Sequence, residues 1–93
     1  MTYQQYDRLI SFDSVHHAIK AEKVLGKHGI AIYALPTPRE IDISCGQCLL
    51  FMASGQDKVM NLLADDHVRW SKLFSRTHTG TAYIYEKILE CGG

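Results

Sequence analysis

The chain predicts an α+β fold in which an antiparallel sheet is covered on one face by two helices. Short apolar runs of strand-like composition alternate with two segments of helical periodicity. Each helical segment is bracketed by turn or capping residues. Length adds a third constraint, since 93 residues suffice for one compact core and are too few for two. Residues 1–93 are therefore expected to form a single domain.

Tyr6 to Phe12 reads as the first strand, ending at Asp13-Ser14. The side-chain oxygens of these two residues suit the unpaired N–H groups that open a helix. That helix is expected from Val15 to His28, where Gly29 stops it and Lys27 and His28 complement its negative end. Ile30 to Leu35 is a short apolar run, read as a second and central strand, and Gln47 to Ala53 as a third. Ser54 and Asp57 stand at capping-box spacing before a second helix over Asp57 to Asp65, with Val59, Met60, Leu62 and Leu63 on its buried side. Trp70 to Arg76 and Ala82 to Leu89 alternate as strands do, and Thr77-His78-Thr79-Gly80 reads as the turn between them. Taken in order, these elements give a ferredoxin-like βαββαβ sandwich with one extra C-terminal strand.

Composition narrows the function classes. The apolar fraction of 46% is ordinary for a globular chain. Ten basic residues balance ten acidic ones, which argues against nucleic acid or an anionic membrane as the main partner. No stretch approaches the roughly 20 apolar residues that span a bilayer. The opening residues lack the basic start and apolar segment of a signal peptide, so the expected location is cytoplasmic, where thiols stay reduced. Three cysteines in that setting leave redox, metal or nucleophilic roles open.

The segment from Pro36 to Cys48 concentrates the chemistry. It holds both prolines, Arg39 and two of the three cysteines. Prolines disfavour helix in the residue before them, so the segment is a shaped connection. Cys45 reads as a nucleophile beside Gly46, which would allow close backbone approach or positive φ. Local N–H groups and the Arg39 guanidinium would favour its thiolate. Its bland reading is a small half-buried thiol at a strand start. Cys48 completes a Cys-x-x-Cys, but the pair enters an apolar strand and not a helix N-terminus, so Cys48 is expected to face the core. One such pair supplies two ligands where zinc takes four, and Cys91, His16, His17 and His78 have no recognisable metal spacing.

Glu22 draws notice on the helical wheel, where Val15, Ala18, Ile19, Ala21 and Leu25 define an apolar arc with Glu22 near its middle. A carboxylate there needs a partner or an open edge, and Arg39 is the candidate partner. His16 and His17 open the same helix, as solvated side chains or as a proton relay or anion clamp facing the Cys45 loop. Asp65, Asp66 and His67 read as solvated surface. Trp70, Phe74, Tyr83 and Tyr85 read as core or dimer contacts.

The run Ser14-Val15-His16-His17-Ala18-Ile19-Lys20-Ala21-Glu22-Lys23-Val24-Leu25, then Pro36-Thr37-Pro38-Arg39-Glu40 and Ser44-Cys45-Gly46, resembles the selenium/sulfur carrier-like family. The resemblance implies that Cys45 carries sulfur as a persulfide or selenium as a perselenide. It implies that Arg39, Glu22 and His16 belong to one motif set. It also implies a desulfurase-like donor and a protein acceptor, with no bound cofactor. Val15 stands where the family pattern has threonine, and Cys48 adds a second thiol able to form a disulfide with Cys45 and discharge the cargo. Two rival readings remain: a small ligand-binding or regulatory module, dimeric through its sheet, and a Cys45/Cys48 thiol–disulfide redox protein.

Overall fold

The computed structural model describes residues 6–38 and 46–90. In chain order it contains β1 (Arg8–Ser11), α1 (Val15–Lys27), β2 (Tyr33–Pro36), β3 (Gln47–Phe51), a 3-10 turn (Ala53–Gly55), α2 (Gln56–Asp65), β4 (Lys72–Thr79) and β5 (Ala82–Glu90). The strands make one sheet of order β2-β3-β1-β4-β5, antiparallel at every step. The α+β class, the antiparallel sheet and the two helices agree with the sequence. β5 takes the sheet one strand beyond a plain βαββαβ pattern. Among the described residues no helix is long and apolar enough to cross a membrane.

Strand alternation divides the core in two. Ile10, Leu49, Phe51 and Leu73 point to the helices and pack with Ala18, Ala21, Val24, Leu25, Val59 and Leu63. Leu9, Cys48, Leu50 and Phe74 point the other way and cluster with Tyr6. Each large side chain fully buried here contributes about 1.5–3 kcal/mol, so the two faces of β1 and β3 dominate stability. Trp70 packs against the helix-side cluster and Tyr85 against the other, as core contacts.

Helix ends follow local chemistry. Ser14 Oγ accepts from the His17 N–H at 3.4 Å and opens α1. At the other end Gly29 has φ +74°, Ile30 N–H donates to Leu25 O, and Gly29 N–H donates to Gly26 O. That pattern is a Schellman motif. α2 closes in the same way, with His67 at φ 55° and bonds from Val68 N–H to Leu63 O and from His67 N–H to Ala64 O. A histidine there bears the steric cost that glycine avoids.

Three expectations need correction. β2 is an edge strand and not a central one, because β1 takes the centre by pairing with both β3 and β4. Pro36, which has no N–H to donate, suits that edge. The Thr77–Gly80 turn is mostly strand: β4 runs to Thr79, and Gly80 at φ +56° makes a two-residue hairpin turn with Thr81. The Ser54/Asp57 capping box does not form. Gly55 precedes α2 without a side-chain cap. The Asp7 carboxylate instead accepts from Ala53 N–H at 2.7 Å and ties β1 to the start of this turn.

Candidate functional site

The hairpin between β2 and β3 presents the candidate site. Its stem is closed by the Pro36–Gln47 rung and by a hydrogen bond from Thr37 N–H to Gly46 O at 3.2 Å. Ala34, Leu35, Pro36, Gly46 and Gln47 line an open recess of about 270 Å³ at this stem. Arg39 and Cys45 lie outside the described residues, and so does the expected contact between Arg39 and Glu22. Gly46, the residue after Cys45, is exposed. Among the described residues, a Cβ there would meet no heavy atom within 4 Å.

Register places other groups at the same end of the sheet. β1 runs antiparallel to β3 with Ser11 opposite Cys48, so the chain leaves β1 beside the hairpin stem and enters α1 there. His16 lies in the first turn of α1 and is exposed. The neighbouring His17 is half-buried, and its Nδ1 accepts from the Arg69 N–H at 3.0 Å. That hydrogen bond pins α1 to the segment before β4. Its doublet neighbour His16 shares a surface recess with Ile19, Lys20 and Lys23.

Glu22 is exposed, which corrects its placement in the middle of the apolar arc. The buried stripe of α1 is Ala18, Ala21, Val24 and Leu25, whereas Val15 and Ile19 are 50% and 43% exposed. The helix is rotated so that its small residues meet the sheet and Glu22 sits on the rim. Without desolvation, the physical reason for requiring an arginine partner disappears.

Cys48 is fully buried, as expected of a core-facing residue. It shares the helix-free face with Leu9 and Leu50, on the opposite side of the sheet from α1. Sequence reasoning missed two buried polar groups. Arg76 is 8% exposed, donates from Nη1 to Tyr6 O at 2.9 Å and lies 3.7 Å from the centre of the Tyr83 ring. Thr37 Oγ1 is buried at the hairpin stem with no hydrogen-bond partner among the described residues. The alternation of Phe74, Arg76 and His78 along one strand was the available signal for Arg76.

A family model described as "Putative Se/S carrier protein-like" matches residues 7–75. The chain belongs to this family. No curated protein and no solved structure matches it. The family match runs from the start of β1 into β4 and includes the whole hairpin between β2 and β3. β5 lies beyond it.

Proposed function

We propose that the protein is a sulfur or selenium carrier that holds the chalcogen on Cys45 and passes it between proteins. The observation that carries this reading is membership of the Se/S carrier-like family, across a match that includes the Cys45 hairpin. Two features of the stem support it: the exposed Gly46 directly after Cys45, and the open recess beside it. The same reading takes β1 to β4 and the two helices as a ferredoxin-like sandwich, with β5 added at its outer edge. It places the protein in the reducing cytoplasm, beside a desulfurase-like donor and an acceptor protein.

The chemistry is thiol–persulfide exchange. The Cys45 thiolate attacks the terminal sulfur of a donor persulfide, forms a new S–S bond, and expels the donor thiolate. An acceptor nucleophile then attacks that terminal sulfur and expels the Cys45 thiolate. The sulfur keeps its oxidation level throughout, so neither step needs an added oxidant or reductant. Arg39 would favour the thiolate electrostatically, and His16 would relay a proton from the first turn of α1. Glu22, on the rim of that helix, would meet Arg39 only in solvent, where such a pair is worth about 0–1 kcal/mol. The burial of Cys48 argues against a resolving role, because attack on Cys45 would first require its thiol to leave the helix-free core cluster.

Intact-mass analysis after incubation with a cysteine desulfurase and cysteine tests the proposal. The wild type and Cys48→Ala should each gain sulfur, and Cys45→Ala should gain none. Wild-type protein that alkylates readily at Cys45 yet accepts no chalcogen from any donor would overturn it and favour the ligand-binding reading. Oxidation to a Cys45–Cys48 disulfide without sulfur gain would favour the redox reading.

A further inference from the structure

We propose that the outer edge of β5 pairs antiparallel with β5 of a second copy, about a two-fold axis at Ile84, where an unpartnered strand edge coincides with exposed apolar side chains. β5 is nine residues long, and among the described residues its outer edge carries no strand. The opposite edge, β2, is four residues long and ends in Pro36. Short length and proline are two ways in which proteins blunt an edge against pairing, and β5 uses neither. Of the six large hydrophobic side chains exposed among the described residues, three lie on β5: Ile84, Ile88 and Leu89. The two helices pack over residues of β1, β3 and β4, leaving β5 as an uncovered shelf.

The occupant follows from the pattern on the strand. Lys87 pairs with Phe74 and Leu89 with Leu73, so Ile88 is an inserted bulge residue and the regular edge is residues 82–87. The bulge also explains how Lys87 Nζ reaches Glu90 Oε1 at 2.8 Å, since it returns residues three apart to one face. Opposed residues in an antiparallel pair share a face, so a two-fold axis continuing the sheet must pass beside a single residue. An axis at Glu86 or Lys87 would oppose like charges, which is unfavourable. At Tyr85 it would set Ile84 against a Glu86 carboxylate. At Ile84, the two Ile84 side chains meet, each Tyr83 meets a Tyr85 ring of the other copy, and each exposed Ala82 meets Glu86. Aromatic and apolar pairs are the stabilising cross-strand combinations. The edge can therefore meet a second copy with apolar and aromatic side chains opposed and no like charges facing each other, and this selects a second copy. The inference is independent of the carrier chemistry, because β5 lies outside the family match.

Sedimentation equilibrium of the full chain tests it, with circular dichroism to confirm that each variant is folded. The wild type should sediment as a dimer. Ile84→Lys places two ammonium groups at the axis and should raise the dimer dissociation constant at least about tenfold. Ala82→Lys puts a lysine opposite Glu86 twice and should tighten the dimer several-fold. Ile19→Lys, a comparably exposed site on α1, should change nothing. A monomeric wild type overturns the proposal. So does a dimer that is weakened by Ile19→Lys, or one indifferent to both β5 substitutions.

Discussion

Cys48→Ala separates a structural thiol from a chemical one, and the structure sets the magnitude. Cys48 is fully buried against Leu9, Leu50, Tyr6 and Phe74. Removing its sulfur loses roughly the burial of one methylene, about 0.8 kcal/mol. The void left is about one atom, roughly 25 Å³, and at about 24 cal/mol per Å³ it adds roughly 0.6 kcal/mol. The expected destabilisation is thus about 1–2 kcal/mol, with Cys48→Ser costing more because a hydroxyl is poorly solvated among those side chains. Urea unfolding followed by circular dichroism reads the loss, and sulfur loading and release are assayed on the same variants. The structural account expects Cys48→Ala to be less stable but to load and release sulfur normally. A variant as stable as wild type that loads but cannot release its cargo would refute the reasoning and restore Cys48 as a resolving thiol.

Further expectations concern backbone, stem and charge. Gly29→Ala should cost about 1 kcal/mol, because φ +74° is strained for any side chain, whereas His67→Gly should gain about 0.5–1 kcal/mol after the entropy of glycine is counted, both read from urea midpoints. Gly46→Ala should leave stability within about 0.5 kcal/mol of wild type, since the added methyl meets no heavy atom among the described residues; a large loss would show that the stem is crowded at this position. The hydrogen bond from Lys87, and then its charge, hold the Glu90 carboxyl below its ordinary pKa. Because the shift is downward, any stabilisation from the pair is present at neutral pH and is lost as pH falls through that lowered value. An NMR titration should find the Glu90 pKa depressed in the wild type and returned toward the ordinary value in Lys87→Met.

Local signals in the sequence were legible where one residue type has one job. Ser14 caps α1, Gly29 ends it, and the apolar runs of β1 and β3 are strands buried on both faces. Cys48 could be assigned to the core because it continues the run Leu49-Leu50-Phe51. What depended on pairing was not legible. Ile30-Ala31-Ile32 looks like a central strand, yet β2 begins only at Tyr33, and long-range register makes it an edge. Ser54 had the spacing for a cap, but Asp7, 46 residues away in sequence, supplies the oxygen that Ala53 N–H meets. The Glu22 error has a similar source. Val15 and Ile19 pulled the apparent apolar arc toward themselves, while the sheet accepted the alanine side of α1, where close approach is easier. Of the candidate site, the sequence identified the hairpin, and the fold contributed its stem, its recess and the arrival of α1 at the same sheet end.

The carrier account is tested most directly by locating the transferred atom. Protein exposed to a desulfurase and cysteine is alkylated to trap persulfides, digested, and mapped by mass spectrometry. The account predicts the extra sulfur on the peptide containing Cys45 and its loss when an acceptor thiol is added. Sulfur on Cys48 or Cys91 instead, or none on any peptide, would contradict it.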